Sequence, residues 1–201
     1  MTTPASTIPV HPQLDTPWVL PNRGIVGMLC LICAEAAIFI IFVVAYVFYI
    51  GKSLSGPMPS QVLELPILGT ICLLSSSVTV HWAVRALSKN NTRSCTLGLV
   101  ATVLLGLIFL VTTAQEWYHL IHDYGLTIRT NLFGTTFYSL VGLHATHVIV
   151  GLIGLSLVML FTLLGRVEQR HAERIQVFSL YWHFVDAVWV VVFTVVYVVG
   201  R

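Results

Sequence analysis

Five long apolar runs, at about 24–50, 65–87, 95–118, 132–164 and 175–199, constrain this chain more than any other feature. A hydrocarbon core about 30 Å thick is crossed by roughly 20 apolar residues in helix, and each run reaches that length. The expected fold is all-α and integral to the membrane: a five-transmembrane-helix bundle. It forms one membrane domain over 23–201, behind an N-terminal arm at 1–22. Of the 201 residues, 57% are hydrophobic and 9% charged, against about a quarter charged in an ordinary soluble domain. The fourth run is over-long and is expected to tilt.

The arm at 1–22 holds five of the eight prolines, Pro4, Pro9, Pro12, Pro17 and Pro21. Without a basic stretch followed by a short apolar core it does not read as a signal peptide. It reads as an extended, partly disordered segment on the membrane surface. Counted by alternate sides, Arg23, Arg85, Lys89, Arg93, Arg166, Arg170 and Arg174 fall together, opposite Lys52, Arg129 and Arg201. That bias puts the N-terminus in the cytoplasm. A formal net charge of +2 spread between apolar runs argues against a nucleic-acid partner. Cys30, Cys33, Cys72 and Cys95 lie within or beside those runs and read as small buried residues, not disulfide partners.

Gly98, Thr102 and Gly106 recur every four residues, as do Gly142, Thr146 and Val150 less regularly, a spacing that lets helix backbones approach closely. There is no internal repeat and no matched pair of broken helices, which argues against a secondary transporter.

Polar residues at membrane depth carry the functional information, because each costs at least about 2.5 kcal/mol on insertion scales. Glu35 stands eleven residues into the first run, roughly 16 Å along its helix, with no cation in the same span. It is either a proton-handling carboxyl or an acid hydrogen-bonded to a neighbouring helix. His144 and His147 share a face of the fourth helix; His183 and Asp186 share a face of the fifth at similar depth. By spacing alone these four side chains can converge, either as ligands of a haem or metal or as an interhelical hydrogen-bonded group. Trp182, Asp186, Trp189 and Phe193 form a helical stripe that more often packs against a partner helix or lipid than binds a ligand, with core packing as the default. Glu116 belongs near the outer end of the third helix, and His81 with Arg85 near the inner end of the second, all within snorkelling reach of the interface.

The run Tyr181-Trp182-His183-Phe184-Val185-Asp186-Ala187-Val188-Trp189 resembles the signature of the third subunit of haem–copper oxidases, the cytochrome c oxidase subunit III family. Phe133-Gly134-Thr135-Thr136-Phe137, followed by Gly142, His144, His147 and Gly151, is similar to the helix before that signature. Leu105-Gly106-Leu107 with Phe109 and Glu116-Trp117-Tyr118 resembles the helix before that. Arg23-Gly24 with Glu35 resembles the family's carboxylate-bearing helix, and Ser75-Ser76-Ser77 to Trp82 its successor. Two departures stand out. Two further N-terminal helices of longer members are absent, as in the short bacterial form, which puts the lipid-filled cleft in question. Thr113 replaces a glutamine, which puts one local hydrogen bond in question.

The resemblance implies a subunit without a catalytic residue, cofactor or metal of its own, in a proton-pumping terminal oxidase that reduces dioxygen to water. Haem and copper would sit in partner subunit I, with copper in subunit II if the donor is cytochrome c. Subunits I and II, optionally a small subunit IV, and membrane lipids would be its partners in a bacterial inner membrane. Glu35 matches the family's carbodiimide-reactive carboxyl, tied to proton uptake and to protection during turnover. Glu116, His144, His147, His183 and Asp186 become interhelical polar packing, and Trp82, Trp182 and Trp189 partner or lipid packing. The alternatives are subunit III of a quinol oxidase, a haem-binding membrane anchor and a small proton-coupled transporter.

Overall fold

A computed structural model describes residues 23–53, 56–165 and 172–200. The arm expected at 1–22 lies outside the described residues, as do Arg166, Arg170 and Arg201. The elements are α1 (Arg23–Tyr49), the short α2 (Pro59–Val62), α3 (Ile67–Ser88), α4 (Thr92–His122), α5 (Leu132–Leu163) and α6 (Ala172–Phe193). A π-helical turn, Thr194–Val199, continues α6. Among the described residues, five helices are long and apolar enough to span a membrane. No strand occurs among the described residues.

Local chemistry explains where the helices begin. Asn91 caps α4, its side chain accepting from the Ser94 N–H at 3.1 Å, and Asn131 caps α5 by accepting from the Gly134 N–H at 2.8 Å. α3 starts one residue after Pro66, which stands at its cap. The turn from α3 to α4 closes through Asn90, whose φ of 58° lies in the left-handed region that asparagine tolerates. The Asn91 N–H then reaches the Ala86 carbonyl at 2.9 Å. This cap extends α4 beyond the apolar run 95–118, because polar residues at both ends still satisfy helix geometry outside the hydrocarbon.

α3, α4, α5 and α6 form a closed ring in which each packs on the next and α6 returns to α3; α1 lies against α5 and α6. Small residues set the closest approach. A Cβ added to Gly98 would come within 2.8 Å of the Ala83 side chain, so α3 and α4 touch there almost backbone to backbone. The next stripe residue, Thr102, joins Thr79 of α3 at 2.8 Å. Gly106 of α4 and Gly151 of α5 border the Trp182 indole, where an added Cβ would clash at 3.1 and 2.8 Å.

Two expectations need correcting. Trp182 and Trp189 do not face lipid or a partner: they are 0% and 1% exposed, within the ring. Trp82 does point outward, at 48% exposed. Cys72 and Cys95 are buried, but Cys30 and Cys33 are exposed on α1, where much of the helix faces away from the ring. In lipid an apolar side chain gains nothing by turning inward, so hydrophobicity alone does not indicate burial.

Candidate functional site

The polar residues at depth form two separate groups and not one convergent cluster. No set of three or more His, Cys, Asp or Glu side chains suited to a metal ion occurs among the described residues. The physical reason lies in facing. Residues three apart share a helix face, but that does not decide which neighbouring helix the face meets.

The first group joins α1 to α5. His147 Nε2 lies 3.1 Å from Glu35 Oε2, and His147 Nδ1 lies 2.8 Å from the Leu143 carbonyl. A carbonyl only accepts, so Nδ1 carries a hydrogen. The contact at Nε2 then rests on one further proton, held either by the imidazole or by the carboxyl. The geometry is a single proton with two seats. Both side chains retain some access, 26% for Glu35 and 12% for His147. Phe39 flanks the imidazole at 4.8 Å between ring centroids, and the Tyr181 hydroxyl donates to the His147 carbonyl at 3.4 Å.

The second group runs along the seam between α3 and α6. The Ser77 hydroxyl donates to Asp186 Oδ2 in a short contact and accepts from His183 Nδ1 at 3.0 Å. With Nδ1 bearing the hydrogen, His183 Nε2 takes the Ser179 hydroxyl at 3.3 Å. Above and below, Trp182 Nε1 donates to Ser76 at 2.8 Å and Trp189 Nε1 to Thr70 at 3.1 Å. His81 extends this row outward, its ring 6.3 Å from that of His183. The serine run Ser75-Ser76-Ser77 was the available signal for this seam: Ser76 and Ser77 hold three of its four bonds, and no periodic pattern in the sequence marks either role.

His144 belongs to neither group. It is 0% exposed and makes no side-chain hydrogen bond at either ring nitrogen. It lies tilted against Trp189, with ring centroids 4.9 Å apart, and meets Phe109 edge-on at 5.8 Å. Its role here is that of an aromatic plate in the ring's interior.

Glu116 is held from inside the bundle. Tyr197, in the π-helical turn, donates to its Oε2 at 3.0 Å. The turn shows its register in the Gly200 N–H, which reaches back five residues to the Val195 carbonyl at 2.9 Å. The Thr113 hydroxyl closes on its own helix, donating to the Phe109 carbonyl at 2.9 Å.

The family model for cytochrome c oxidase subunit III matches residues 22–201. The cytochrome c oxidase subunit 3 of Alkalihalophilus pseudofirmus is 34% identical over 195 residues, covering 96% of this chain and 94% of that protein. The cytochrome c oxidase subunit 3 of Bacillus subtilis is 31% identical over 198 residues, 98% and 95% of the two chains. A Staphylococcus saprophyticus relative named as a probable quinol oxidase subunit 3 is 29% identical over 182 residues, 89% and 90% of the two.

Proposed function

This chain belongs to the cytochrome c oxidase subunit III family, and from that premise we propose that it acts as the non-catalytic third subunit of a terminal oxidase that takes electrons from cytochrome c. It steadies the catalytic subunit and supports proton uptake, while partner subunits I and II hold the haems and copper. It works in a bacterial plasma membrane with its N-terminus in the cytoplasm, the orientation favoured by its distribution of Lys and Arg. Residues 23–201 act as one membrane domain.

How the imidazoles are used supports the non-catalytic reading. His147 is engaged by Glu35 and Leu143, His183 by Ser77 and Ser179, and His144 by aromatic rings. These side chains serve helix-to-helix packing, as do Asp186 and Glu116. The single observation that carries the proton role is the Glu35–His147 contact. A carboxyl and an imidazole that share one proton within the membrane, both partly accessible, can take up and return it with little rearrangement.

Two experiments test this reading. A reduced-minus-oxidised spectrum of the complex that co-purifies with the chain is expected to show an a-type haem, lost from the chain once partners are stripped away. Haem retained by the isolated chain would make it a haem anchor. For proton uptake, Glu35→Gln is expected to leave assembly intact while oxygen consumption decays sooner during turnover. Unchanged decay would remove Glu35 from that role.

A further inference from the structure

Indoles and phenols held away from water usually donate their one hydrogen, and the acceptors in this bundle differ in kind. Trp182 and Trp189 donate to the hydroxyls of Ser76 and Thr70, and Tyr138 and Tyr181 to the carbonyls of Leu126 and His147. None of these acceptors can keep a proton. Among the described residues, Tyr197 is the one phenol that donates to a carboxyl, Glu116 Oε2, at 3.0 Å.

Tyr197 also ends an aromatic row. Its ring lies 6.3 Å from the Trp189 indole, and Phe193 packs against both, 5.7 Å from Tyr197 and 6.5 Å from Trp189. Trp189 and Tyr197 are each 1% exposed, so the row is dry. Beyond it, Glu116 lines a cleft of about 660 Å³ between the start of α3 and the end of α4, together with the exposed Glu64, His119 and Asp123. The row runs from the interior of the ring to an acidic cleft.

Tryptophan and tyrosine give up a single electron more readily than other aromatic side chains. A Trp189 radical cation would be a bare charge in a low dielectric, with only a hydroxyl at its N–H. Tyr197 and an ionised Glu116 can discharge it. One electron passes from Tyr197 to Trp189, the phenolic O–H breaks, and an O–H forms on Glu116 Oε2. The products are the neutral indole, a neutral tyrosyl radical and a neutral carboxylic acid, so two buried charges vanish in one step.

We propose that Trp189, Tyr197 and Glu116 form an exit for oxidising equivalents, which drains one-electron oxidants made from dioxygen in a partner subunit. Electrons tunnel through packed protein, so Trp189 need not touch the oxidant. A thiol or quinol outside returns the electron, Glu116 returns the proton to the phenol, and the row is restored. The inference rests on the oxidase-subunit reading and adds to it a redox task for side chains of this chain.

The test uses the intact oxidase, turned over in air and then digested for peptide mass spectrometry. Tyr197→Phe is expected to raise the oxidised fraction of Trp189 several-fold after equal turnover, with Trp182 unchanged. Glu116→Gln is expected to do the same, although an amide oxygen still accepts the Tyr197 hydrogen bond. Oxidation of Trp189 at the wild-type level in both variants would overturn the exit. So would an equal rise at Trp182 and Trp189, the mark of a loosened fold. In the wild-type complex, peroxide followed by rapid freezing is expected to give a tyrosyl radical signal in electron paramagnetic resonance that Tyr197→Phe removes; a signal unchanged by that substitution would count against the proposal. A wild-type chain that co-purifies with no haem-bearing subunit would overturn the reading beneath it.

Discussion

The contact between α1 and α5 and the seam between α3 and α6 both place a histidine beside an acidic or hydroxyl partner at membrane depth, yet they are built for different ends. Glu35 and His147 meet through one contact at 3.1 Å, and both keep some exposure. In the α3–α6 seam, by contrast, Trp182, Asp186 and Trp189 are nearly or fully enclosed. Four side-chain bonds cross that seam, from Ser77 to Asp186 and His183, and from the two indoles to Ser76 and Thr70. Bonds between transmembrane helices average only about 0.6 kcal/mol, so one contact anchors little and a row with two packed indoles anchors a helix. The difference separates a single, partly exposed contact from a joint that holds the bundle.

The largest effect is expected at the joint. Trp182→Ala empties the niche between Gly106 and Gly151 and is expected to cost about 3–5 kcal/mol. Thermal unfolding of the purified complex, followed by loss of this chain, measures it. Next comes Asp186→Ala, which takes the acceptor from Ser77 and disturbs its bond to His183, at about 1–3 kcal/mol. Asp186→Asn keeps an acceptor for the same hydroxyl and is expected to recover most of that loss. If alanine and asparagine prove equally harmful, the seam is held by charge and not by hydrogen bonding. At the accessible site, His147→Leu is expected to shift unfolding by less than Asp186→Ala while reproducing the early turnover decay of Glu35→Gln. A stability loss as large as that of Trp182→Ala would erase the contrast between the two regions. The smallest effect is expected from Tyr197→Phe, which removes one bond to Glu116, about 0.6 kcal/mol, measured on the same melting curve.

The helices were legible in the sequence because hydrocarbon selects for length and apolarity alone. The run at 132–164 and the helix Leu132–Leu163 differ by one residue. At the ends of α4 the reading falls short by three or four residues, since Thr92 and His122 obey helix caps and not hydropathy. Partner choice was not legible. The i, i+3 spacing of His144 and His147 suggests one shared face of α5, but the ring buries the first among aromatics and turns the second towards α1. Asp186 was expected beside histidines and instead receives Ser77, whose short side chain carries no periodic signal. The π-helical turn was invisible too, because Thr194–Val199 reads as a plain apolar run; only its effect, Tyr197 brought to Glu116, makes it detectable.

The glycine-lined niche around Trp182 has a consequence for biogenesis. The ribosome delivers α1, α3, α4 and α5 before α6, so Gly106 and Gly151 can border an open slot before its occupant has been translated. α6 then acts as a closing wedge, and a nascent chain stalled before it would present bare glycine faces to the membrane. Quality control that recognises loosely packed helices has a clear signal there, and closure of the ring coincides with seating a single indole.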